Sequence, residues 1–331
     1  MTRTPRRHLV ATLAVVGALT AGCGATVADT GRPSADVSVT DCGEQLSYPT
    51  PKQPVAYDVS AIEKMFSLGL ADRMRGYVVN ALFDGSIDSS PWAADYRKVP
   101  RLGTGRISKE IVVDAKADWV MSYWGGGFSE ERGITPALLK QIGINSYVQT
   151  ESCFGYGDRK PVAPMDSVFL DLENLGRIFG VEQKATEVVS GLKARLDKLK
   201  AGIPRGTTPA RVLVYDSGQD APYTAGKYAS PTGVIEAAGG RNVLDGVENG
   251  WTTVGWETVA AANPEVVVVI DYGNESAGDK EAFVKAHPAL KGVPAVTQDH
   301  FVVLNYGEAV SGPRNVDAAE KLGAYLRSIG K

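Results

Sequence analysis

The sequence predicts an α/β protein of two lobes with mainly parallel sheets, joined by a long helical stretch. Three observations carry this expectation. Short apolar strands alternate with helical patterns over residues 55–165. Residues 166–200 then carry helix-spaced apolar positions. The strand–helix alternation resumes over residues 201–331, without a fixed repeat period. With 331 residues and 44% hydrophobic content, the chain has material for two ordinary cores. Lys and Arg total 35 against 38 acids, a formal net charge of −3, which excludes a nucleic-acid binder acting through a basic surface. Three cysteines exclude a disulfide-dense scaffold and a multi-cysteine metal site.

Residues 1–22 read as an export signal: Arg3, Arg6 and Arg7 precede the apolar run Leu9–Leu19. The run is too short to span a bilayer, and no later run is long enough either. Leu19-Thr20-Ala21-Gly22-Cys23 resembles a lipobox, with Thr20 where leucine is commoner. Cys23 would then carry the lipid and become the mature N-terminus. Residues 23–54 read as a tether rich in Ser, Thr, Gly, Asp and Pro. Cys42 and Cys153 remain as an even pair outside the cell, where a disulfide is favoured.

In the first lobe, Val55–Val59 and Tyr77–Val79 read as short strands. Ala61–Leu70 is helical, with Ser60 as N-cap, Glu63 completing a capping box and Gly69 at its end. Ser108–Ala117 is a helix, Trp119–Tyr123 a buried strand, Thr135–Ile142 a helix and Asn145–Gln149 a strand. Asp166 is positioned to cap the helical stretch, Gly180 interrupts it, and Gly202 and Pro204 end it. Clean heptads are absent, which favours a helix pair or a kinked helix between the lobes over a coiled-coil arm. In the second lobe, Arg211–Tyr215, Val266–Asp271 and Phe301–Asn305 are strands. Gly233–Ala238, Trp256–Ala262, Lys280–Ala286 and Asn315–Ile329 are helices.

Metalloprotease, serine-hydrolase and P-loop motifs are absent. Gly103-Thr104-Gly105 lacks the third glycine of a dinucleotide fingerprint, and Ser190-Gly191-Leu192-Lys193 lacks the companion motifs of penicillin-recognising enzymes. His287 and His300 have no neighbours at metal-ligand spacing, so no direct metal site is expected.

Aromatic residues gather where strands end. Tyr77, Tyr123, Trp124, Tyr215, Tyr272 and Tyr306 lie at or just after strands; Trp92, Tyr223, Tyr228 and Trp251 lie in loops. Ligands of α/β sheets bind beyond the carboxyl ends of the strands, and aromatic rings there supply apolar area with polar tips. Arg106, Arg132, Lys227 and Arg314 share these loops and suit an anionic ligand, and Gly125-Gly126-Gly127 offers backbone N–H groups. For any one aromatic, core filling is an equally good reading.

The order of several stretches resembles the bacterial solute-binding proteins of ABC transporters for iron-siderophores, haem or vitamin B12. The stretches are Ile107–Val120, Tyr223–Lys227, Glu236–Asn242, Trp251–Val269 and His287–Val296, within residues 51–329. Ala117 stands where that family usually has proline, and residues 151–157 do not map onto its pattern. The resemblance implies two Rossmann-like lobes joined by a long α-helix, a shallow cleft between them and little hinge motion. It also implies one surface glutamate per lobe docking on arginines of the permease, by position Glu110 and Glu257. Helix-dipole stabilisation is a sufficient structural reason for both acids.

The expected function is therefore a lipid-anchored extracytoplasmic protein that captures an iron(III)-siderophore and delivers it to a permease dimer with its ATPase. It needs no cofactor of its own; its partners are a small metal chelate and the membrane, not nucleic acid. The expected ligand set is Tyr77, Trp92, Arg106, Tyr123, Trp124, Tyr223, Lys227, Trp251, Tyr272, Tyr306 and Arg314. Cobalamin or haem binding is the alternative within the class. An enzyme or a sensor on the same scaffold is the alternative outside it.

Overall fold

The computed structural model describes residues 36–154 and 161–331. The export signal and Cys23 lie outside them. A two-stranded antiparallel hairpin opens the described chain, β1 (Val37–Asp41) with β2 (Glu44–Tyr48). This corrects the tether expected over 23–54. Val39 and Tyr48 are buried in the first-lobe core, and the Asp41 carboxylate accepts from the Val148 N–H at 2.8 Å. At the hairpin turn, Cys42 is disulfide-bonded to Cys153, with Cα atoms 5.3 Å apart.

The first lobe is built on β3 (Pro54–Tyr57), β4 (Gly76–Val78), β5 (Arg101–Gly103), β6 (Trp119–Ser122) and β7 (Asn145–Val148). They form one parallel sheet in the order β5-β4-β3-β6-β7. Val55, Ala56 and Tyr57 are fully or almost fully buried, as expected of a parallel strand covered on both faces. Helix α1 (Asp58–Ser67) follows β3 directly, three residues earlier than expected. Ser60 is not its cap. Asp58, at φ 73°, accepts from both the Ser60 N–H (3.2 Å) and the Ser60 hydroxyl (3.0 Å). The expected Ser60–Glu63 capping box is not made, because Glu63 turns inward to Ser90 and Arg314. Helix α2 (Lys109–Asp114) has the expected Ser108 cap.

The helical stretch is a pair, α3 (Pro164–Phe179) and α4 (Glu182–Ala201). Pro164 opens α3, and Asp166 lies in its first turn rather than capping it. Gly180, at φ 62°, ends α3 in the left-handed conformation that glycine tolerates best, and α4 folds back. A Cβ on Gly176 would sit 2.6 Å from that of Ala185, so glycine is what lets the two helices touch. Helix α4 makes the lobe-to-lobe connection. Its Val189 and Leu192 are buried in the first-lobe core and its Leu199 in the second.

The second lobe contains β8 (Ala210–Tyr215), β9 (Tyr223–Ala225), β10 (Gly240–Asn242), β11 (Trp251–Thr253), β12 (Val266–Asp271) and β13 (Phe301–Asn305). Four make a parallel sheet in the order β10-β8-β12-β13; β9 and β11 pair antiparallel beside it. Helices α5 (Ser230–Ala237), α6 (Trp256–Ala262) and α7 (Asn315–Ser328) accompany them. Among the described residues no helix is long and apolar enough to cross a membrane.

A polar face of α1 ties the lobes together. The Lys64 ammonium is fully buried and donates to Asp171 on α3 (2.6 Å), to Gln149 after β7 (2.7 Å) and to Ser311 of the second lobe (3.1 Å). The Glu63 carboxylate accepts from the Arg314 guanidinium at 3.2 Å, both side chains being buried.

The disulfide closes a loop with a sequence separation of 111 residues. In the chain-entropy model, a loop of this order stabilises by about 4.7 kcal/mol, so reduction should lower the urea midpoint markedly. Thiol counting on the denatured, unreduced protein should find neither Cys42 nor Cys153 reactive. Two reactive thiols per chain from these positions would reject the bridge.

Candidate ligand-binding cleft

Strand order places the site. In the first sheet the chain runs to one side of β3 and then crosses to β6. In the second it runs to β10 on one side of β8 and to β12 on the other. Each reversal leaves a crevice beyond the carboxyl ends of the two central strands. Asp58 follows β3, and Tyr123 to Gly126 follow β6. Asp216 follows β8, and Tyr272 follows β12. All of these residues line one cavity of about 550 Å³ between the lobes.

Seven of the eleven expected ligand residues line it: Arg106, Tyr123, Trp124, Tyr223, Trp251, Tyr272 and Tyr306. Tyr223 stacks on Trp251 with ring centroids 5.7 Å apart, as their positions on the paired strands β9 and β11 dictate. Phe83 of the first lobe stacks on Tyr306 of the second with ring centroids 3.5 Å apart, and both line the cavity.

The other four do not line it. Tyr77 is 4% exposed, packs edge-on against Tyr96 and donates its hydroxyl to the Tyr96 carbonyl. Trp92 packs half-buried against the first-lobe core. Lys227 pairs with Glu248 at 2.8 Å and lies over the Tyr228 ring. Arg314 is 3% exposed and spends its donors on Glu63, Asn305 and Ser86. These are core and surface roles. Arg132 likewise turns away from any ligand: one guanidinium nitrogen donates to the carbonyls of Gly125, Gly126 and Gly127 at 2.9–3.0 Å. That staple shapes the loop after β6. A Cβ on Gly127 would meet the Ser122 hydroxyl at 1.9 Å, so no larger residue fits there.

The structure adds residues that the aromatic pattern did not show. Three carboxyl groups line the cavity, Asp58, Glu151 and Asp216. Asp58 accepts from the Tyr306 hydroxyl of the other lobe (3.0 Å), and Asp216 from the Tyr272 hydroxyl within the second lobe (2.6 Å), so one acid–tyrosine pair bridges the lobes and one lies at the strand ends of the second. Glu151 reaches across the lobes and accepts from the N–H and hydroxyl of Ser230, at the start of α5. Burial is the largest influence on all three and pushes their carboxyl groups above the ordinary range, against the hydrogen bonds they accept. Burial likewise pushes Tyr223 up to about 12, so its hydroxyl is neutral at physiological pH. Arg106 is exposed and makes no hydrogen bond or ion pair among the described residues.

No histidine lines the cleft among the described residues: His287 packs on Trp256 and His300 faces the Glu265 carbonyl. Among the described residues, the group of His, Cys, Asp or Glu side chains close enough to share a metal is Asp41, Cys42 and Cys153, and its two sulfurs are bonded to each other. What the described cleft offers is aromatic faces and hydrogen-bonding groups. Glu110 and Glu257 lie outside it, exposed in the first turns of α2 and α6. Each follows a cleft-lining residue closely in sequence, Arg106 in one lobe and Trp251 in the other. The Glu110 carboxyl is held below its usual range by its own backbone N–H and by Ser108.

Two parallel-sheet lobes, a helical connection and an aromatic cleft at the strand ends define a solute-binding protein of the helix-linked class. The chain belongs to the family described as periplasmic binding protein, which it matches over residues 55–306. Members are extracytoplasmic proteins that bind small molecules and serve ABC transporters; they are binding proteins, not enzymes. A periplasmic binding protein from Veillonella parvula is 27% identical, with a TM-score of 0.73 over 89% of this chain and 98% of that one. An ABC-type Fe3+-hydroxamate transport system protein from Saccharomonospora viridis is 22% identical, with a TM-score of 0.74 over 88% and 98%. The periplasmic heme-binding protein RhuT from Roseiflexus sp. RS-1 is 21% identical, with a TM-score of 0.64 over 85% and 99%. No curated relative matches the chain.

The reassignment of Arg314 from ligand contact to buried ion pair has a direct test. Arg314→Met leaves Glu63 buried without its partner and should cost about 3–5 kcal/mol of stability, read from urea unfolding. A loss well under 1 kcal/mol would show that the pair does not hold the lobes.

Proposed function

We propose that the protein captures an iron(III)-siderophore in the interlobe cleft and delivers it to an ABC permease dimer with its ATPase. We further propose that a lipid on Cys23 holds it at the outer face of the cell membrane. One observation carries the reading: the two lobes share a cavity of about 550 Å³ whose walls are aromatic and whose polar groups converge from both sheets. A bulky chelate with apolar faces and polar edges fits such walls, with rings to stack on and polar groups to meet its edges. The buried contacts of α1 with residues 306–314 hold the lobes along one side, which suits capture with little closure. A protein purified from iron-starved cells should carry a ferric-siderophore absorption band. A Soret band or a cobalamin spectrum instead would reject the siderophore and favour the alternatives within the class.

Trp251→Ala removes one face of the Tyr223–Trp251 stack and should weaken ligand binding about tenfold or more, roughly 1.4 kcal/mol. Unchanged affinity in a calorimetric titration would remove Trp251 from the site.

We assign Glu110 and Glu257 to permease docking, one per lobe. Both are exposed, so replacing them with alanine should cost the free protein almost nothing in folding or ligand affinity. An interfacial carboxylate–arginine pair is charge-assisted, and truncating one partner typically costs about 2–5 kcal/mol. The double variant Glu110→Ala, Glu257→Ala should therefore bind ligand normally but fail to support uptake of radiolabelled ligand. Normal uptake would reject the docking role.

A further inference from the structure

We infer that the cleft selects a metal chelate that is uncharged or cationic and presents hydrogen-bond donors, with Glu151 and Asp216 accepting from it. This rests on the reading that the cleft holds a metal chelate, and it adds which kind.

The cavity is lined by three carboxyl groups and, among the described residues, by one cationic side chain, Arg106. Their hydrogen bonds divide the acids by role. Both oxygens of Asp58 are engaged, Oδ1 by Ser60 and Oδ2 by Tyr306. Asp58 therefore offers a ligand little free accepting capacity. Glu151 uses only Oε1, on Ser230, and Asp216 uses only Oδ2, on Ser217 and Tyr272. Glu151 Oε2 and Asp216 Oδ1 accept from none of the described residues. Both residues line the same cavity, from opposite lobes.

The hydroxyls of Tyr272 and Tyr306 donate to the acids and offer a ligand their lone pairs instead. The glycine-loop carbonyls are tied to Arg132. Three acids against one cation among the described lining residues, two of the acids with an unused oxygen, favour a complement that donates hydrogen bonds and is not anionic. Three hydroxamates cancel the charge of ferric ion, and a free ammonium makes such a complex a cation. Three catecholates leave it a trianion, and the two propionates of haem make that ligand anionic.

The test is tryptophan-quenching titration of the exported protein with five probes. These are a ferric linear trihydroxamate bearing a free ammonium, the same chelate N-acetylated, a ferric tricatecholate, haemin and cyanocobalamin. The ammonium chelate should bind tightest and the tricatecholate about a hundredfold or more weaker, a difference set by charge. Glu151→Gln with Asp216→Asn should shrink that ratio about tenfold or more. Asp216→Asn alone, which keeps an oxygen for Tyr272, should shift it in the same direction if the double variant folds poorly. Tricatecholate or haemin binding as tightly as the trihydroxamates would overturn the inference while leaving a metal-chelate function standing. So would an unchanged ratio in a folded variant. Binding of cyanocobalamin alone, uncharged and rich in amide donors, would reject the siderophore and uphold the charge rule. Binding of none of the five would reject both.

Discussion

Burying the polar face of α1 is the constraint on which the rest of the structure depends. Asp58, Ser60, Glu63 and Lys64 all lie inside, each at most 4% exposed. A buried ammonium or carboxylate is tolerated only when its partners are complete. No single lobe completes them. Lys64 needs Asp171 from the helix pair, Gln149 from the end of β7 and Ser311 from the second lobe. Glu63 needs Arg314, Asp58 needs Tyr306, and Gln149 passes a further hydrogen bond to Ser60 at 2.9 Å. The network therefore fixes how the lobes meet, and satisfied networks of this kind are rigid.

The cleft inherits its walls from that arrangement. Asp58 and Tyr306 belong both to the network and to the cavity lining, so the ligand surface is continuous with the structural core. The two sheets contribute in the same manner, since each reverses its strand order beside its first strand and leaves a crevice there. Asp216 and Tyr272 bridge one crevice with a 2.6 Å hydrogen bond. The same rule that brings aromatic loops to the strand ends thus brings acids there too.

Where the apolar pattern was strong, the fold was legible in the sequence. Val266–Asp271, Trp256–Ala262 and Phe301–Asn305 fall where expected, because unbroken apolar runs and helical spacing report burial directly. The hairpin 37–48 was not legible: its strands are short and polar, and they are ordered by α3, β7 and the disulfide. The helix pair was half legible. Gly180 marked the break, but the fold-back shows only in the Gly176–Ala185 approach. In the site, strand-end aromatics were legible as a group, though Tyr77 and Trp92 proved to be core. The acids were missed because a lone Asp after a strand reads as a cap. Arg314 was misplaced because its partner Glu63 lies 251 residues away, and no local pattern encodes a pairing at that distance.

The position of the network also bears on how occupancy could be reported. It lies along one side of the cleft, between α1 and residues 306–314. The Glu151–Ser230 contact, also between the lobes, lies instead in the cavity wall, since Glu151 lines the cleft. A molecule that draws on Glu151 Oε2 acts on a group already holding the second lobe through Oε1. Binding can therefore tighten the lobes at that contact without disturbing the buried pairs behind it. Glu110 and Glu257 sit one on each lobe, so the α1 network that fixes how the lobes meet also fixes the frame that carries them. Under the proposed docking, a permease gripping both glutamates would sense a small change in spacing against a fixed frame, with no large domain motion required.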